Sequence, residues 1–535
     1  MSEDSHSVQD IKKQVEARVA EEEQSAPPAV ERKDPVPSID FLRTCLFGNR
    51  VGDATLFAYM FRGKFVFIDR WDRWLRWGGH YWQEDINPKK ALAAVERVCE
   101  QYQRILTECP DAGPRSELVK EVRRRLNHLR NNGRKELLEC AATIDDPLFV
   151  DDEKLDKQEY LLACPNGVID LRTGVMSPGQ PEQYILNACP IAWKGLNPSH
   201  DFYAFLRSCF DNDEEMVRYI LRLLGYGLLG NRNEAIWVIF HGPRGRNGKD
   251  TLMKLLGSVL GKTLVRKVNT AMLLQQTFQR SSSQPEPDIM ALRGAKFAYA
   301  SEAESNQKIA IAKLKDLTGN SELSARGLQD PHISEWVQSH LLFLLTNELP
   351  KMKADDDAFW SRLHAVHWPI RFVDNPLEPD ERKRDPRMME RLEQDLPGVL
   401  ACLVLGCMDY LANGLQPPEK VLAYTKEQRD NFDDIGQFLN EACNREATPP
   451  AGADWRTRTS ASDFVATCNW WLKQNYGNTY NYSAKRITQT LEKKGISSRK
   501  SNVMQYLGVE VKAEVRAEYA AAVAEEERKS SRGRY

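Results

Sequence analysis

A glycine-rich segment, HGPRGRNGKDTL at residues 241–252, contains the residue types that bind phosphate groups. Its lysine, Lys249, can supply a positive charge, and its glycines allow a tight backbone whose N–H groups point inward. The strict phosphate-loop pattern places four residues between the first glycine and Gly-Lys, and serine or threonine after the lysine. Here five residues intervene and Asp250 follows. The segment alone is therefore about equally consistent with a nucleotide site and with an ordinary turn.

A bound triphosphate also needs a divalent cation, and Mg²⁺ prefers oxygen ligands, including carboxylates. Asp250 could hold Mg²⁺ directly or through water, or Thr251 could do so from the next position. Both remain candidates. The candidate residues for binding a nucleotide such as ATP are Gly242, Gly245, Asn247, Gly248, Lys249, Asp250 and Thr251.

Three downstream segments could complete a site for nucleotide hydrolysis. The strand-like run FAYASEAES contains Glu302, a candidate for polarising an attacking water and ordering a metal ion, with Glu304 in support. Asn347 follows the apolar run Leu341–Leu345, where an amide could orient the water or sense the terminal phosphate. Arg362 lies in a polar and aromatic turn, from which a guanidinium could reach a neighbouring subunit's phosphate. In isolation, each segment is more typical of an ordinary strand end or surface turn.

Two basic segments are candidates for binding DNA. A hairpin-like loop with Arg326 and His332, preceded by Lys315, could grip the backbone of a single strand, although a plain solvent-exposed loop is the alternative. Lys485 and Arg486 lie on the second helix of a small unit that resembles a winged helix. That helix could enter a DNA groove, and docking to a protein is the alternative.

The N-terminal part carries two patterns with open interpretations. The segment EVRRRLNHLRNNGRKELL has four arginines that could follow phosphates or form a solvated helix face: Arg123, Arg124, Arg125 and Arg130. Four clustered tryptophans could stack on bases, but their large buried area favours the aromatic core of a small sheet: Trp71, Trp74, Trp77 and Trp82.

An α/β core is needed to bring these side chains together. The apolar run Ile236–Phe240 predicts a buried strand directly before the glycine loop, and the apolar spacing after Lys249 predicts a helix. Strand-like and helix-like segments alternate from residue 236 to about 372, the pattern of an α/β fold. The full division predicts a disordered leader at 1–40, an N-terminal α+β domain at 41–195, a helical collar at 196–235, the core at 236–375, a helical segment at 376–450, a winged-helix-like domain at 451–515 and a tail at 516–535.

Bulk composition indicates a soluble protein of several domains. The chain has 535 residues, 41% of them hydrophobic, and a net charge of -2, so any DNA-binding surface must come from local patches. Its 11 cysteines include no Cys-x-x-Cys pair, which predicts reduced, mostly buried thiols and disfavours a zinc site. The polar start is unlike a signal peptide, and the apolar stretch Gly398–Met408 is far shorter than a membrane span. We expect a cytoplasmic protein without membrane contact.

The order and spacing of these motifs resemble superfamily-3 helicases, in particular the phage and plasmid primase-helicase family that also includes the poxvirus helicase-primase. That family has a loop similar to GPGGNGKST, a strand ending ASETE, then K-x-x-TGGD-x-x-x-AR, T-N-x-LP and a W-R-R turn. The corresponding segments here are Gly242–Thr251, Ala300–Glu304, Lys315–Gly319 with Ala325-Arg326, Thr346–Pro350 and Trp360–Arg362. The resemblance covers roughly residues 45–440, and several motifs in register are stronger evidence than any one alone.

The resemblance implies an AAA+-type P-loop ATPase core in a ring, expected to be a hexamer, that hydrolyses ATP with Mg²⁺ at subunit interfaces. It also implies translocation on single-stranded DNA, in a bacterial host or a phage-infected cell. It gives these roles to residues of this chain: phosphate binding to Lys249, the Walker-B carboxylate to Glu302, the sensor to Asn347, the arginine acting in trans to Arg362, and DNA contacts in the pore to Lys315, Arg326 and His332.

The chain departs from the family pattern at several positions. The glycine loop is one residue longer, and Asp250 stands in place of serine, which puts the metal geometry and the hydrolysis rate in doubt. Ser361 replaces the first arginine of the W-R-R turn, and Asn320-Ser321 stands where Gly-Asp is usual. A primer-synthesising domain is not predicted, because residues 1–40 are too short for a polymerase core.

Two functions therefore remain open at this point. The first is an ATP-dependent replicative DNA helicase of a phage, plasmid or mobile element, acting on single-stranded and forked DNA, with a separate primase as a possible partner. The second is a nucleotide-dependent origin-binding initiator or loader with little ATP turnover. Asp250 is the feature that favours the second function.

Overall fold

A computed structural model describes residues 35–109, 113, 116–230, 233–275, 285–303, 307–319, 322–328, 333–448, 454–476, 481–500 and 503–532. The chain divides into two compact units that alternate along the sequence. The first comprises Met1–Ala303, Ala312–Glu348 and His367–Pro418, and the second comprises Glu304–Ile311, Leu349–Val366 and Glu419–Tyr535. Nearly all of the predicted leader lies outside the described residues, as do Glu304 and His332.

Helices α1 to α5 build the N-terminal part of the first unit. Their bounds are Ile39–Phe47, Asn49–Phe61, Lys89–Glu108, Glu117–Asn131 and Gly133–Ala141. The hydroxyls of Ser38 and Ser116 accept N–H bonds from the first turns of α1 and α4, which sets where those helices start. Apolar residues at helical spacing, among them Val95, Tyr102 and Val122, pack into one buried core.

This N-terminal part also contains two small antiparallel sheets. Strands β1 to β3 (Phe65–Ile68, Arg73–Trp77 and Trp82–Glu84) pair in sequence order, and so do β4 to β6 (Leu161–Cys164, Gly167–Asp170 and Met176–Ser177). Trp74 is 6% exposed and Trp82 is 1% exposed. The interpretation of these two tryptophans as core residues is therefore confirmed, because neither ring has a free face for stacking on a base.

A parallel sheet forms the centre of the first unit. Its elements in chain order are α6 (His200–Cys209), α7 (Glu214–Leu228), β7 (Trp237–His241), α8 (Lys249–Leu264), β8 (Val265–Lys267), α9 (Pro287–Met290), β9 (Phe297–Ser301), α10 (Ile311–Leu317), β10 (Glu322–Ala325), β11 (Ser334–Val337) and β12 (Leu341–Thr346). Within the described part of this unit, the parallel strands pair in the order β7-β12-β9-β8. The fold is mixed α/β with a parallel sheet, and strands β10 and β11 form the predicted hairpin.

The parallel order places three strand ends at one edge of the sheet. Leu345 of β12 lies opposite Phe240 of β7 and Ser301 of β9, so the segments after these strands emerge side by side. Every residue of β12 is buried, as a strand with neighbours on both sides and on both faces requires. The glycine loop, Glu302 and Asn347 therefore start from the same edge.

Two helices of the first unit cross at very short distance. After α11 (Asp357–Trp360) and β13 (Leu363–His367), the chain forms β14 (Arg371–Val373), β15 (Glu381–Lys383), α12 (Met388–Gln394) and α13 (Leu396–Asn413). A Cβ atom on Gly225 of α7 would lie 2.0 Å from the backbone nitrogen of Cys407, and one on Gly406 of α13 would lie 2.1 Å from the carbonyl oxygen of Leu221. The crossing therefore requires glycine on both helices.

Helix α13 is longer than expected, because the sequence predicted an apolar stretch, Gly398–Met408, far shorter than a membrane span. The helix extends beyond that stretch at both ends to 18 residues, so by length and composition it could cross a membrane. In the structure, 72% of it is buried inside the protein. Its Asp409 accepts bonds from the guanidinium groups of Arg218 and Arg222 on α7, which is the environment of a core helix.

The second unit ends in a small mixed domain. Its elements are α14 (Glu419–Asn431), α15 (Asp434–Ala442), β16 (Cys443–Arg445), β17 (Arg458–Ser460), α16 (Ala461–Tyr476), α17 (Ala484–Lys493), β18 (Ser498–Lys500), β19 (Met504–Leu507), β20 (Val509–Val511) and α18 (Ala513–Arg532). The strand order β17-β19-β18 forms one antiparallel sheet, and β16 pairs with β20. Phe438, Phe464 and Leu491 are fully buried in the core between these helices and strands.

All 11 cysteines are free thiols, and all except the half-buried Cys140 are buried. The prediction of reduced, mostly buried thiols is confirmed. Burial raises the pKa of the Cys45 and Cys99 thiols to about 11, so both thiols stay protonated at neutral pH. These thiols pack as small apolar side chains.

The glycine crossing generates a stability prediction. Gly225→Ala should lower the thermal unfolding midpoint, because the added methyl group must push α7 away from α13, at a cost of about 1–3 kcal/mol or more. The measurement is differential scanning fluorimetry or calorimetry of the full chain. The matched control is Gly257→Ala in the middle of α8, where a Cβ atom would meet nothing within 4 Å.

The control should be neutral or stabilising by up to about 1 kcal/mol, because alanine is the better helix former. Equal melting temperatures for Gly225→Ala and Gly257→Ala would show that the helices do not depend on close contact at this point.

Candidate nucleotide site

The glycine loop connects the end of β7 to the start of α8 and depends on left-handed backbone conformations. Gly245 has φ 66°, Arg246 has φ 55° and Gly248 has φ 95°. A Cβ atom on Gly248 would also lie 2.8 Å from the Cys209 sulfur, and one on Gly242 would lie 2.5 Å from the Lys249 Nζ atom. The glycines are therefore needed for backbone conformation and for close approach.

The amino group of Lys249 lies at the centre of this loop. Its Nζ atom donates to the carbonyl oxygen of Gly242 at 3.2 Å, to Oδ1 of Asn247 at 3.1 Å and to Oδ1 of Asn347 at 3.0 Å. The residue is 4% exposed. Three uncharged oxygens thus hold a buried ammonium group at the N-terminus of α8, in the position where a phosphate-binding lysine is expected.

Asn247 holds the loop against a later part of the first unit. Its Nδ2 atom donates to the carbonyl oxygens of Trp368 at 3.1 Å and Ile370 at 2.9 Å, while its Oδ1 atom accepts from Lys249. The side chain is 3% exposed and uses both ends of its amide in this way. Through these contacts Asn247 positions Lys249, and its role in binding a nucleotide stays a prediction.

Burial sets the charge of two groups in the site. It lowers the pKa of the Lys249 ammonium to about 8, because the charged form loses hydration, and Asp250 offsets this in part. Burial also lowers the pKa of His241 to about 4, so this imidazole is neutral at pH 7. The Nε2 atom of His241 lies 3.2 Å from the carbonyl oxygen of Asn347, which joins the ends of β7 and β12.

Acidic side chains lie beside this edge of the sheet. Glu302 follows β9 directly with φ 68°, and its backbone N–H donates to the carbonyl oxygen of Leu345 at 3.0 Å. Asp250 is exposed in the first turn of α8. Burial raises the pKa of Tyr299 on β9, and the Asp250 carboxylate adds to this effect. The described residues contain no group of three or more His, Cys, Asp or Glu side chains arranged to hold a metal. Because Mg²⁺ commonly takes one or two carboxylates together with substrate phosphates, Asp250 and Glu302 remain its candidate ligands.

A cavity of about 800 Å³ opens beside the loop, and sequence reasoning did not identify it. Gly248 and Thr251 line it at the loop, and its walls include Phe205, Phe372 and Met388. Basic groups also reach it, namely Arg207, Arg246, Arg382, Lys383 and Arg384. Two carboxylates, Asp211 and Asp385, also line the cavity, and Arg382 pairs with Asp211. A cavity with apolar and charged walls next to the loop suits a nucleoside attached to phosphates. These residues are far apart in sequence and form no motif, so no local signal pointed to them.

The other predicted residues lie on separate elements. Lys315 is in the last turn of α10, and Arg326 follows β10, with its carbonyl oxygen accepting from the backbone N–H of Glu286 at 3.0 Å. Arg362 follows α11 in the second unit. Lys485 and Arg486 are exposed on α17, and the Arg486 guanidinium lies 3.8 Å from the centre of the Tyr482 ring. Their roles stay predictions.

Comparison with known proteins bears on the family. Residues 54–211 match the family described as "D5 N terminal like". One relative is L207/L206 of Acanthamoeba polyphaga mimivirus, a protein that carries the name helicase. It is 28% identical over 66% of this chain and 37% of its own length. C962R of African swine fever virus (strain Badajoz 1971 Vero-adapted), named by inference as a primase, is 24% identical over 64% of this chain and 36% of its own length.

The chain is therefore similar to viral proteins that are named as helicases and primases. A third relative, 121R of Invertebrate iridescent virus 3, is also named by inference as a helicase and is 25% identical over 50% of this chain. The chain spans less than two fifths of the length of each of these three relatives. An apo structure of the NrS-1 C terminal region (305-718) aligns with 90% of this chain and 100% of that one at 12% identity, with a TM-score of 0.42.

The pKa of Lys249 predicts how nucleotide affinity depends on pH. Phosphates bind the protonated lysine. In the free protein its protonation is almost complete well below pH 8, falls to one half at about pH 8 and is lost at higher pH. Affinity for ADP, measured by calorimetry between pH 7 and 9.5, should therefore be constant at the low end and fall above about pH 8. Lys249→Arg should bind without this fall, because arginine keeps its charge. A flat profile for the unchanged protein would contradict the assignment.

The contacts of Asn247 predict a loss of both stability and nucleotide affinity in Asn247→Ala. The variant removes one acceptor from Lys249 and leaves two buried carbonyl groups without their donor, at a cost of about 1–3 kcal/mol each. Asn347→Ala is the matched control, because it removes one acceptor from Lys249 and spares those carbonyls. Melting temperature and ADP affinity separate the two. If Asn247→Ala melts no lower than Asn347→Ala, Asn247 does not hold the loop.

Proposed function

We propose that the protein is an ATP-dependent replicative DNA helicase of a phage, plasmid or mobile element, acting as a ring. The observation that carries the proposal is the buried Lys249 amino group between Gly242 and Asn347 at the N-terminus of α8. The names of the viral relatives, helicase and primase, support an enzyme of nucleic-acid metabolism. The hexamer and the site between subunits are proposed from the motifs that resemble those of superfamily-3 helicases.

In this proposal the loop binds the phosphates of ATP. The backbone N–H groups of the glycine loop and Lys249 would hold the phosphates, and the neighbouring cavity of about 800 Å³ would hold the nucleoside. Asp250 or Thr251, together with Glu302, would hold Mg²⁺, which neutralises phosphate charge when bound. The cradle fits such an anion, because a Cβ atom on Gly242 would fill the space beside the Lys249 Nζ atom.

Hydrolysis in this proposal needs three further groups. Glu302 would take the proton of the attacking water, and Asn347 would orient that water or contact the terminal phosphate. Arg362 would stabilise the charge that develops on the phosphoryl group of the adjacent subunit. Because the phosphate is shared in this way, the proposal requires self-association of the chain.

DNA contact would come from two regions in this proposal. Lys315 and Arg326, on α10 and after β10, would contact the backbone of a single strand in the ring. Lys485 and Arg486 lie on a helix between β17 and the β18-β19 hairpin, and the strand order β17-β19-β18 supports the proposal of a winged helix. We propose AAA+ and winged-helix folds for these two regions and a separate primase as a partner.

Asp250 favours a second candidate function, a nucleotide-dependent origin-binding initiator or loader with little ATP turnover. A carboxylate in the first turn of α8 adds negative charge next to bound phosphates, which slows hydrolysis unless a cation lies between them. Tight ATP binding with negligible Mg²⁺-dependent hydrolysis in the presence of forked DNA would support this function. Strand separation of the forked duplex would support the helicase.

Mixing two variants tests the shared site. Lys249→Ala alone and Arg362→Ala alone should each reduce DNA-stimulated ATPase activity by about a thousandfold or more. An equal mixture should regain part of the activity, because some interfaces then combine an intact Lys249 with an intact Arg362 from the neighbour. The control mixture is Lys249→Ala with the Lys249→Ala/Arg362→Ala double variant, which has no intact interface. Full activity of Arg362→Ala, or no recovery on mixing, would sink the role in trans.

A further inference from the structure

A second polar cleft lies in the N-terminal helices and takes no part in the nucleotide site. It has a volume of about 790 Å³, within the roughly 300–1,000 Å³ of ligand-binding clefts. The junction of α1 and α2 forms one wall, with Asn49 and Arg50, and α4 forms the other, with Arg124, Arg125 and Asn131. Among the described residues, no carboxylate lines it. Its lining therefore consists mainly of guanidinium and amide groups.

Arg125 is the buried group of this cleft. Its side chain is 4% exposed, its Nη1 atom lies 3.2 Å from Oδ2 of Asp53, and its Nη2 atom donates to Oδ1 of Asn49 at 2.8 Å. Its Nε atom has no hydrogen-bond partner among the described residues. Glu121 also lies 3.5 Å from the Nη2 atom. These contacts with Asp53, Asn49 and Glu121 fix the guanidinium group beside the cleft, where its positive charge favours an anion.

The start of helix α2 contributes a second feature of an anion site. The helix has 13 residues and begins at Asn49, and no side chain caps it. Free N–H groups at a helix N-terminus attract negative charge. Asn49 has φ 53°, and its Oδ1 atom accepts from both Arg124 and Arg125, which directs both guanidinium groups toward the helix start.

The nearby carboxylates hold the arginines without using all of their donors. Arg50 bonds Glu136 at 3.0 Å and Arg124 bonds Glu121 at 2.6 Å, yet their side chains are 66% and 63% exposed. A guanidinium group has five N–H donors, so each arginine keeps donors for a ligand. His128 also reaches Glu136, at 3.5 Å. The acidic groups lie behind the lining and orient it.

We propose that this cleft binds a phosphate group, carried either by a single-stranded nucleic acid or by a free nucleotide or phosphate ion. This proposal distinguishes the arginines of α4 that could contact phosphate from those that lie on a solvated helix face. Arg124 and Arg125 line the cleft, whereas Arg130 bonds Glu96 at 2.7 Å and Arg123 lies outside the lining. Arginine suits phosphate because two of its N–H groups can bond two phosphate oxygens.

The test compares two neighbouring charge reversals in the full chain. Arg124→Glu changes the cleft, and Arg123→Glu makes the same change of charge on an exposed residue of the same helix outside the cleft. Both are made in a Lys249→Ala background, so that the nucleotide site contributes nothing. The probes are a fluorescein-labelled oligothymidylate measured by anisotropy, and radiolabelled ATP and inorganic phosphate measured by equilibrium dialysis. Asn131→Asp, also in the lining and exposed, is the second variant if Arg124→Glu does not fold.

We expect Arg124→Glu to weaken one class of probe by about tenfold, while Arg123→Glu stays within about twofold of the parent. Loss of oligothymidylate affinity assigns the phosphate to a nucleic-acid backbone. Loss of ATP or phosphate binding with unchanged oligothymidylate affinity assigns it to a free anion. Equal affinities of the Arg124→Glu, Asn131→Asp and Arg123→Glu proteins for all three probes would overturn the proposal. The Lys249→Ala background keeps this result separate from failure of the ATPase proposal.

Discussion

The buried ammonium group of Lys249 is the constraint around which the first unit is arranged. A charge in a site with so little solvent contact needs partners, and here three oxygens provide them: one from the loop backbone, one from Asn247 and one from Asn347. These partners come from the residue after β7, the glycine loop before α8 and the residue after β12. The lysine therefore links the parallel sheet, the loop and, through Asn247, the segment at Trp368.

The packing behind the loop serves the same arrangement. Helices α7 and α13 approach each other closely because Gly225 and Gly406 leave no side chain between them. Arg222 and Asp409 add a buried ion pair across the same contact, with Arg222 Nε 2.6 Å from Asp409 Oδ2. Helix α6 precedes this pair and supplies Phe205 to the cavity beside Gly248.

Charge is used differently in the two clefts of the first unit. At Lys249, one ammonium group is held by uncharged oxygens, and burial lowers its pKa to about 8, so its charge depends on the surroundings. In the cleft between α2 and α4, arginines whose charge is permanent are held by carboxylates behind them. The first arrangement suits a ligand that replaces the oxygens around the lysine. The second suits a ligand that adds to an existing network.

Local sequence determined much of this protein. Apolar runs predicted β7, β9 and β12 within a residue or two, and the glycine loop, Glu302 and Asn347 were placed correctly after strands, because strand patterns and turn residues are encoded locally. Tertiary structure alone decided that Asn247 supports Lys249 through Trp368 and Ile370, because those carbonyls are more than 100 residues away. It likewise decided which arginines of α4 face a cleft, since Arg124 and Arg125 meet Asn49 only after folding.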